Sequence, residues 1–377
     1  MRIEVCSTID AIPSVDWDKL VRGNNPFLRH AFLAALEHNN CASPTFGWQP
    51  MHLAAWAGER LVAAMPLYLK ENSYGEFVFD HAWAQAYQRH SLSYYPKLVS
   101  SIPYAPATGQ RMLLAPDLPA AKLSQALLDK AKEVAGEVGA SSLHWLFIDE
   151  EESRQHHSMG LMLRNDVQFH WHNRGYADFD AFLAELNAKR RKNIRRERRL
   201  VAESGLRLQL FHGDEVGDAL WERFARMYEV PFEQRYSLPT LNSGFFKETA
   251  KEMGRQVILV LAHDGDEAVA GAWMLRSDDT LYGRHWGCLK EYDNLHFEAC
   301  FYQGIEYCIA NGLKHFEPGA QGEHKIWRGF LPTRTYSSHW ISRPEFSQAI
   351  ADFLKREQMA INDYKVQLEQ GSPYKRR

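Results

Sequence analysis

The densest group of reactive side chains is Glu317-Pro318-Gly319-Ala320-Gln321-Gly322-Glu323-His324-Lys325, with Arg328 and Gly329 just after it. Its glycines allow sharp turns and close backbone approach, and loops placed by a rigid scaffold are where binding and catalysis concentrate. Joining an acyl group to an amine needs an amine without its extra proton, a polarised carbonyl and a stabilised oxyanion. In such a reaction Glu317, Glu323 or His324 takes the proton. Lys325 or Arg328 faces the developing negative charge, and Gln321 offers a hydrogen bond to substrate. The plainer alternative is a polar surface loop whose glycines only make turns.

Three further groups are candidates for substrate contact. Residues 189–199 hold eight Lys/Arg and one Glu, a local charge of +7 that leaves −10 on the rest of a chain of net charge −3. Such a patch suits phosphates, and the alternative is a solvated helix face. It lies on a helix expected over 178–203, whose apolar stripe is Phe179, Phe182, Leu183, Leu186, Ile194 and Val201. Arg190 and Glu197 fall on that stripe, while Arg195, Arg198 and Arg199 fall to its sides and outside. Arg190 therefore needs a partner, either Glu197 or a ligand phosphate or carboxylate. The second group is the aromatic and proline-rich stretch 94–111, with Lys97, Tyr104 and Arg111; it suits a sugar or nucleotide, or simply stiffens a loop. The third is Arg284 and His285 on an expected strand, with His296 at the start of the next helix.

His170 and His172 share a strand face, but with no Cys or carboxylate beside them no metal site is expected. The chain has no G-x-x-x-x-G-K-[ST], G-x-G-x-x-G or G-x-S-x-G motif, which argues against ATPase, dehydrogenase and serine-hydrolase chemistry.

The elements that must position these residues repeat. Residues 51–57 and 60–69 form a strand–turn–strand pair about Gly58-Glu59, and 76–80 reads as a third strand. Leu123, Leu127, Ala131, Val134 and Val138 mark a helix over 118–138, and 142–148 is a buried strand. The second half has the same order: strands 256–262 and 269–276 about Asp264-Gly265-Asp266, strand 281–288, a helix with stripe Phe297, Phe301, Ile305 and Ile309, and strand 314–317. The duplication predicts an α/β fold with mixed sheets. Its expected domains are 1–168 and 169–342, followed by a C-terminal helix and tail over 343–377.

A length of 377 residues fits two cores, and 45% hydrophobic with 24% charged residues fits a globular protein rather than a disordered one. Five scattered cysteines without a C-x-x-C pair predict reduced, buried thiols. Residues 1–17 lack the apolar core of a secretory signal, and no apolar run approaches the ~18 residues of a membrane span. A cytoplasmic protein is expected.

Several segments together resemble the FemAB-like N-acyltransferases of peptidoglycan biosynthesis or recognition. They are 94–98, 103–111, Phe169-His170-Trp171, 189–198 and Pro318-Gly319-Ala320-Gln321-Gly322-Glu323-His324-Lys325. The resemblance spans nearly the whole chain. It implies tandem GNAT-like (acyl-CoA N-acyltransferase) modules and transfer of an acyl or aminoacyl group to an amine. The implied acceptor is a nucleotide- or lipid-linked muropeptide, and no structural cofactor is required. The implied donor is aminoacyl-tRNA, as in Fem relatives, or acyl-CoA, which would make the protein a small-amine N-acetyltransferase. Arg284-His285-Trp286-Gly287-Cys288-Leu289 begins like the coenzyme A loop R/Q-x-x-G-x-G/A but has Leu289 in place of its last small residue. A non-catalytic protein that binds RNA or a cell-wall precursor is the alternative outside enzymes.

Overall fold

A computed structural model describes residues 1–320 and 322–375. The chain forms two compact units: Met1–Val167 with Arg334–Tyr364, and Gln168–Thr333 with the chain from Lys365 on. Residues 334–342, expected in the second domain, therefore group with the first. The C-terminal helix, Pro344–Gln370, is divided between the two units.

In the first unit Arg2–Cys6, His52–Ala57, Arg60–Met65 and Leu113–Leu114 form an antiparallel sheet in that order. Gly58, at φ 64°, makes the expected turn. The returning strand stops at Met65, because Pro66 has no N–H to extend the ladder. Tyr68–Lys70 instead pairs with Gln49–Pro50 and Lys97–Ser100. Lys97–Ser100 runs parallel to Ser142–Ile148, which pairs antiparallel with residues 336–341. Helix Ala120–Glu137 buries Leu123, Leu127, Ala131 and Val134 against Arg60–Met65 and Ser142–Ile148, the stripe the spacing predicts.

Residues 76–80 are not a strand. Glu76 and Asp80 turn inward to meet Lys97, whose Nζ donates to Glu76 Oε2 at 2.7 Å, Asp80 Oδ2 at 2.5 Å and Ser73 Oγ at 2.8 Å. Tyr94 Oη donates to the same Asp80 oxygen at 2.6 Å. Lys97 is fully buried, with its three protons on these acceptors, so it is a counterion inside the unit rather than a ligand contact. The other two residues expected in this stretch are also internal. Tyr104 Oη donates to the Cys41 carbonyl at 2.9 Å, and the Arg111 guanidinium donates to the carbonyls of Ala107, Gly109 and Gln110. These contacts shape the 94–111 loop from within, which favours the loop-stiffening alternative.

In the second unit Arg207–His212, Val257–Asp264, Glu267–Arg276 and Thr280–Cys288 form an antiparallel meander. His315–Glu317 adds to it in parallel and pairs in turn with Trp171 and His172. Two helices not anticipated from the sequence, Asp218–Glu233 and Ser243–Met253, pack on this sheet. Gly287 is glycine because a Cβ there would strike the backbone of Met227 and Tyr228. The basic segment is two helices, Phe179–Glu185 and Ala188–Glu203. Leu186 turns to extended backbone, and Asn187 restarts the helix by accepting from the Arg190 N–H at 3.1 Å, a side-chain N-cap.

Candidate active site

Thr280–Cys288 and His315–Glu317 pair over three residues only, ending at Tyr282 and Glu317. Beyond that point the first strand continues while the second gives way to the reactive loop. Between them opens a cavity of about 280 Å³, lined by Arg284, His285, Trp286, Pro318, His324 and Lys325, with Ala272, Trp273 and Met274 from the neighbouring strand and His296, Cys300 and Phe301 from the helix that follows. Two local irregularities aim these side chains. Trp273 pairs with His285 and Met274 with Gly283, so Arg284 is the extra residue of a β-bulge, a device that re-aims a side chain. The helix begun by Leu295–Phe297 passes through a π turn, Glu298–Tyr302, which brings Cys300 and Phe301 to the cavity.

Lys325 sits on the short helical turn Glu323–Arg328, 4% exposed, and its Nζ donates to the Gly319 carbonyl at 2.9 Å. Gly319 and Gly322 have φ of 95° and 114°, and a Cβ on Gly322 would meet the His324 ring, so this turn requires glycine. Burial and then the nearby Arg284 lower the Lys325 pKa to about 8. Arg284, whose side chain is 2% exposed, donates to the Glu317 carbonyl at 3.2 Å and lies 3.5 Å from its carboxylate. Burial takes His285 down to about 3 and, with His324, Lys325 and Arg328 adding, His296 down to about 4. His324 is lowered by the same causes, burial first. All three imidazoles are therefore neutral near pH 7, and each keeps a lone-pair nitrogen that can accept a hydrogen bond. Burial raises the Cys300 thiol, which excludes a resident thiolate.

Of the residues expected in one site, Arg284, His285, His296, His324 and Lys325 come together, with Glu317 behind them as the partner of Arg284. Arg328 does not join them. Its Nη2 donates to Glu197 Oε1 at 2.8 Å, its Nε to Tyr302 Oη at 3.0 Å and its Nη1 to the His324 carbonyl at 3.1 Å, while Tyr302 Oη donates to the other Glu197 oxygen. Glu197, on the packing face as its spacing predicts, thus pairs with Arg328 and not with Arg190. Glu197→Ala is expected to cost about 2 kcal/mol in urea unfolding, between the exposed and fully buried limits for an ion pair, by leaving Arg328 without its counter-charge.

Arg190 lies over the Trp327 ring at 4.7 Å, and Arg195 is an exposed partner of Asp180 at 3.0 Å. Arg198, expected outward, turns in to Glu298 and Glu306. Glu323 is exposed and off the cavity lining, and Gln321 lies outside the described residues. His172 Nδ1 lies 3.0 Å from His315 Nδ1, and among the described residues no group of three or more His, Cys, Asp or Glu is placed to hold a metal. Trp273 and Met274 carry no mark of this role in the sequence, because a β-bulge on the facing strand does not show in a periodicity pattern, and Cys300 reads there only as a buried thiol.

This architecture is α/β with mixed sheets and a C-terminal helix, with a cavity where two parallel strands part. The chain belongs to the FemAB-like family, described as peptidoglycan biosynthesis/recognition, which matches residues 8–376. No curated protein sequence matches it. Among solved structures, FemX is similar at 12% identity with a TM-score of 0.55, over 93% of this chain and 100% of that one. The C-terminal domain of a candidate lysylphosphatidylglycerol synthetase from Agrobacterium fabrum also has a TM-score of 0.55, at 8% identity, over 91% and 94%. L-PGS from Bacillus licheniformis reaches 0.52 at 10% identity, over 85% and 94%. These identities establish shared fold alone. No helix among the described residues is long and apolar enough to cross a membrane.

Proposed function

We propose that the protein is an N-acyltransferase that joins an acyl group to an amine of a peptidoglycan precursor. The observation that carries this reading is the cavity where the two strands part, with a buried lysine, a bulged arginine and neutral imidazoles on its walls. The acyl carbonyl oxygen points at Lys325, which with Arg284 stabilises the oxyanion formed on attack. The attacking amine gives up its proton to His296 or His324. The amide bond forms as the bond to the leaving group breaks, and the leaving group takes up the proton. The family's description as peptidoglycan biosynthesis/recognition supports the acceptor class.

The test incubates purified protein with a nucleotide-linked muropeptide and, separately, acyl-CoA and charged tRNA, and reads the products by mass spectrometry. The expected product is the muropeptide heavier by one acyl or aminoacyl group. Substituting His296 and His324 together by Gln is expected to slow turnover by about 100-fold, the lower range for loss of a general base. A muropeptide unchanged with every donor would remove the transferase reading.

A further inference from the structure

We propose that Glu197, which lies outside the cavity, is the positioning residue that fixes two of its walls against each other: the turn carrying His324 and Lys325, and the π turn carrying Cys300 and Phe301. The inference rests on the transferase reading, in which His324 and Lys325 act on the reacting atoms. Glu197 is the one acid among the eight cations of residues 189–199, and its side chain is 14% exposed. Its two oxygens serve the two walls separately. Oε1 accepts from Arg328 Nη2 at 2.8 Å, at the end of the turn Glu323–Arg328, and Oε2 accepts from Tyr302 Oη, at the end of the π turn Glu298–Tyr302. Arg328 Nε donates to the same Tyr302 oxygen at 3.0 Å, so the three side chains close a ring of hydrogen bonds.

Short, directional contacts carry this position to the cavity. Arg328 Nη1 donates to the His324 carbonyl at 3.1 Å, and its guanidinium lies 3.5 Å from the centre of the Phe297 ring. The His324 imidazole packs on Phe297 and Phe301, with ring centres 5.8 and 5.9 Å apart. The Lys325 N–H donates to the Gly322 carbonyl at 3.0 Å and its carbonyl accepts from the Phe330 N–H at 3.2 Å, so Lys325 moves with the turn. Gly322 and Gly329 flank that turn at φ 114° and 96°, and glycine joints leave its orientation to be set by side-chain contacts. A charge-assisted pair of low exposure is a strong and directional contact of that kind. Arg190, stacked over Trp327 at 4.7 Å, adds a second contact between the same helix and the same turn. Loss of Glu197 leaves Arg328 and Tyr302 without their shared acceptor and frees the two walls from each other.

The test reads Lys325 without turnover. Competitive labelling of the purified protein with acetic anhydride across pH, followed by peptide mass spectrometry, gives the midpoint at which Lys325 loses its proton. In the parent that midpoint is expected at about 8, where burial and Arg284 place it. Glu197→Ala lets the turn move into water and is expected to shift the midpoint up towards the ordinary lysine value. Arg328→Lys, which keeps the charge but not the forked contacts, is expected to do the same. Glu197→Gln retains an acceptor for Arg328 and is expected to stay with the parent, as is Glu203→Gln, exposed at the end of the same helix. In the transfer assay Glu197→Ala is expected to lower kcat by about 10- to 100-fold with KM within about twofold, the mark of misplaced reacting groups, and Glu197→Gln to restore most of it. A folded Glu197→Ala protein with an unmoved Lys325 midpoint overturns the inference, and if that variant does not fold, the same reading on Arg328→Lys decides. A parent midpoint at the ordinary lysine value, or a shifted midpoint with unchanged kcat, overturns it too. A shifted midpoint in a protein whose parent transfers nothing removes the transferase reading and keeps the positioning contact, so the two failures are distinct.

Discussion

Lys325→Met is expected to lower kcat/KM for acyl transfer by about 100- to 1,000-fold, the loss typical when one preorganised oxyanion donor is removed. The fold should survive, because methionine fills a similar volume and the lost hydrogen bond to the Gly319 carbonyl costs only about 1 kcal/mol. Thermal melting and transfer kinetics on the same samples check both halves. The pH dependence gives a second reading. With a pKa of about 8, Lys325 loses its charge as pH rises through that value, so its contribution to rate falls on the alkaline side. Lys325→Arg keeps the charge and should lack that alkaline fall, even at a lower overall rate. Stability runs the opposite way. Between about 8 and the ordinary lysine value the unfolded chain holds the proton that the folded chain has released, so this group makes the protein more stable as pH rises, and the methionine variant should lose that slope. An unchanged rate in Lys325→Met would move the oxyanion contact to another residue.

Lys97→Met is expected to destabilise the first unit by about 3–5 kcal/mol, the cost of breaking a buried ion pair from one side. Glu76 and Asp80 would then lie buried without their cation, and native stability is only about 5–15 kcal/mol in all, so much of the unit's margin goes with it. Urea unfolding followed by fluorescence measures the loss. The two carboxylates respond to pH with opposite signs. Burial raises Glu76 to about 6 despite Lys97, so its ionisation opposes folding, and lowering pH from 6 towards 4.5 relieves that cost. Burial also works to raise Asp80, but Lys97, His144 and the hydrogen bonds from Lys97 and Tyr94 outweigh it and hold the carboxyl below its ordinary value. Asp80 therefore contributes stability that is lost as pH falls below the ordinary carboxylate range. Glu76→Gln should flatten the window between 4.5 and 6 while leaving the more acidic loss in place. A Lys97→Met variant as stable as the parent would mean that the buried network contributes specificity rather than stability.

Much of the scaffold was legible in the sequence because it is written in local periodicity. The stripe Leu123, Leu127, Ala131, Val134 became the buried face of Ala120–Glu137, and the turns at Gly58 and Gly265 joined the expected strands. The stripe Trp221, Phe224, Ala225, Tyr228 carries the same signal for Asp218–Glu233, a helix that has Pro231 inside it. The loop from Glu317 to Arg328 was found by composition alone, since so many reactive side chains between glycines exceed what a turn requires.

Composition could not divide that loop into roles. Lys325 and Arg328 are three residues apart and both cationic, yet one lines a cavity and the other is held by Glu197, 131 residues away in sequence. Lys97 looked equally available for a ligand until Glu76 and Asp80 were brought to it. Residue types and spacing, read alone, determined most of the sheet strands, the helix over Ala120–Glu137 and the loop that gathers titratable side chains, because those follow from side-chain periodicity and local turn chemistry. Which cations face a ligand and which are internal counterions was decided only by tertiary structure, because a buried charge must find its partner wherever the fold brings one.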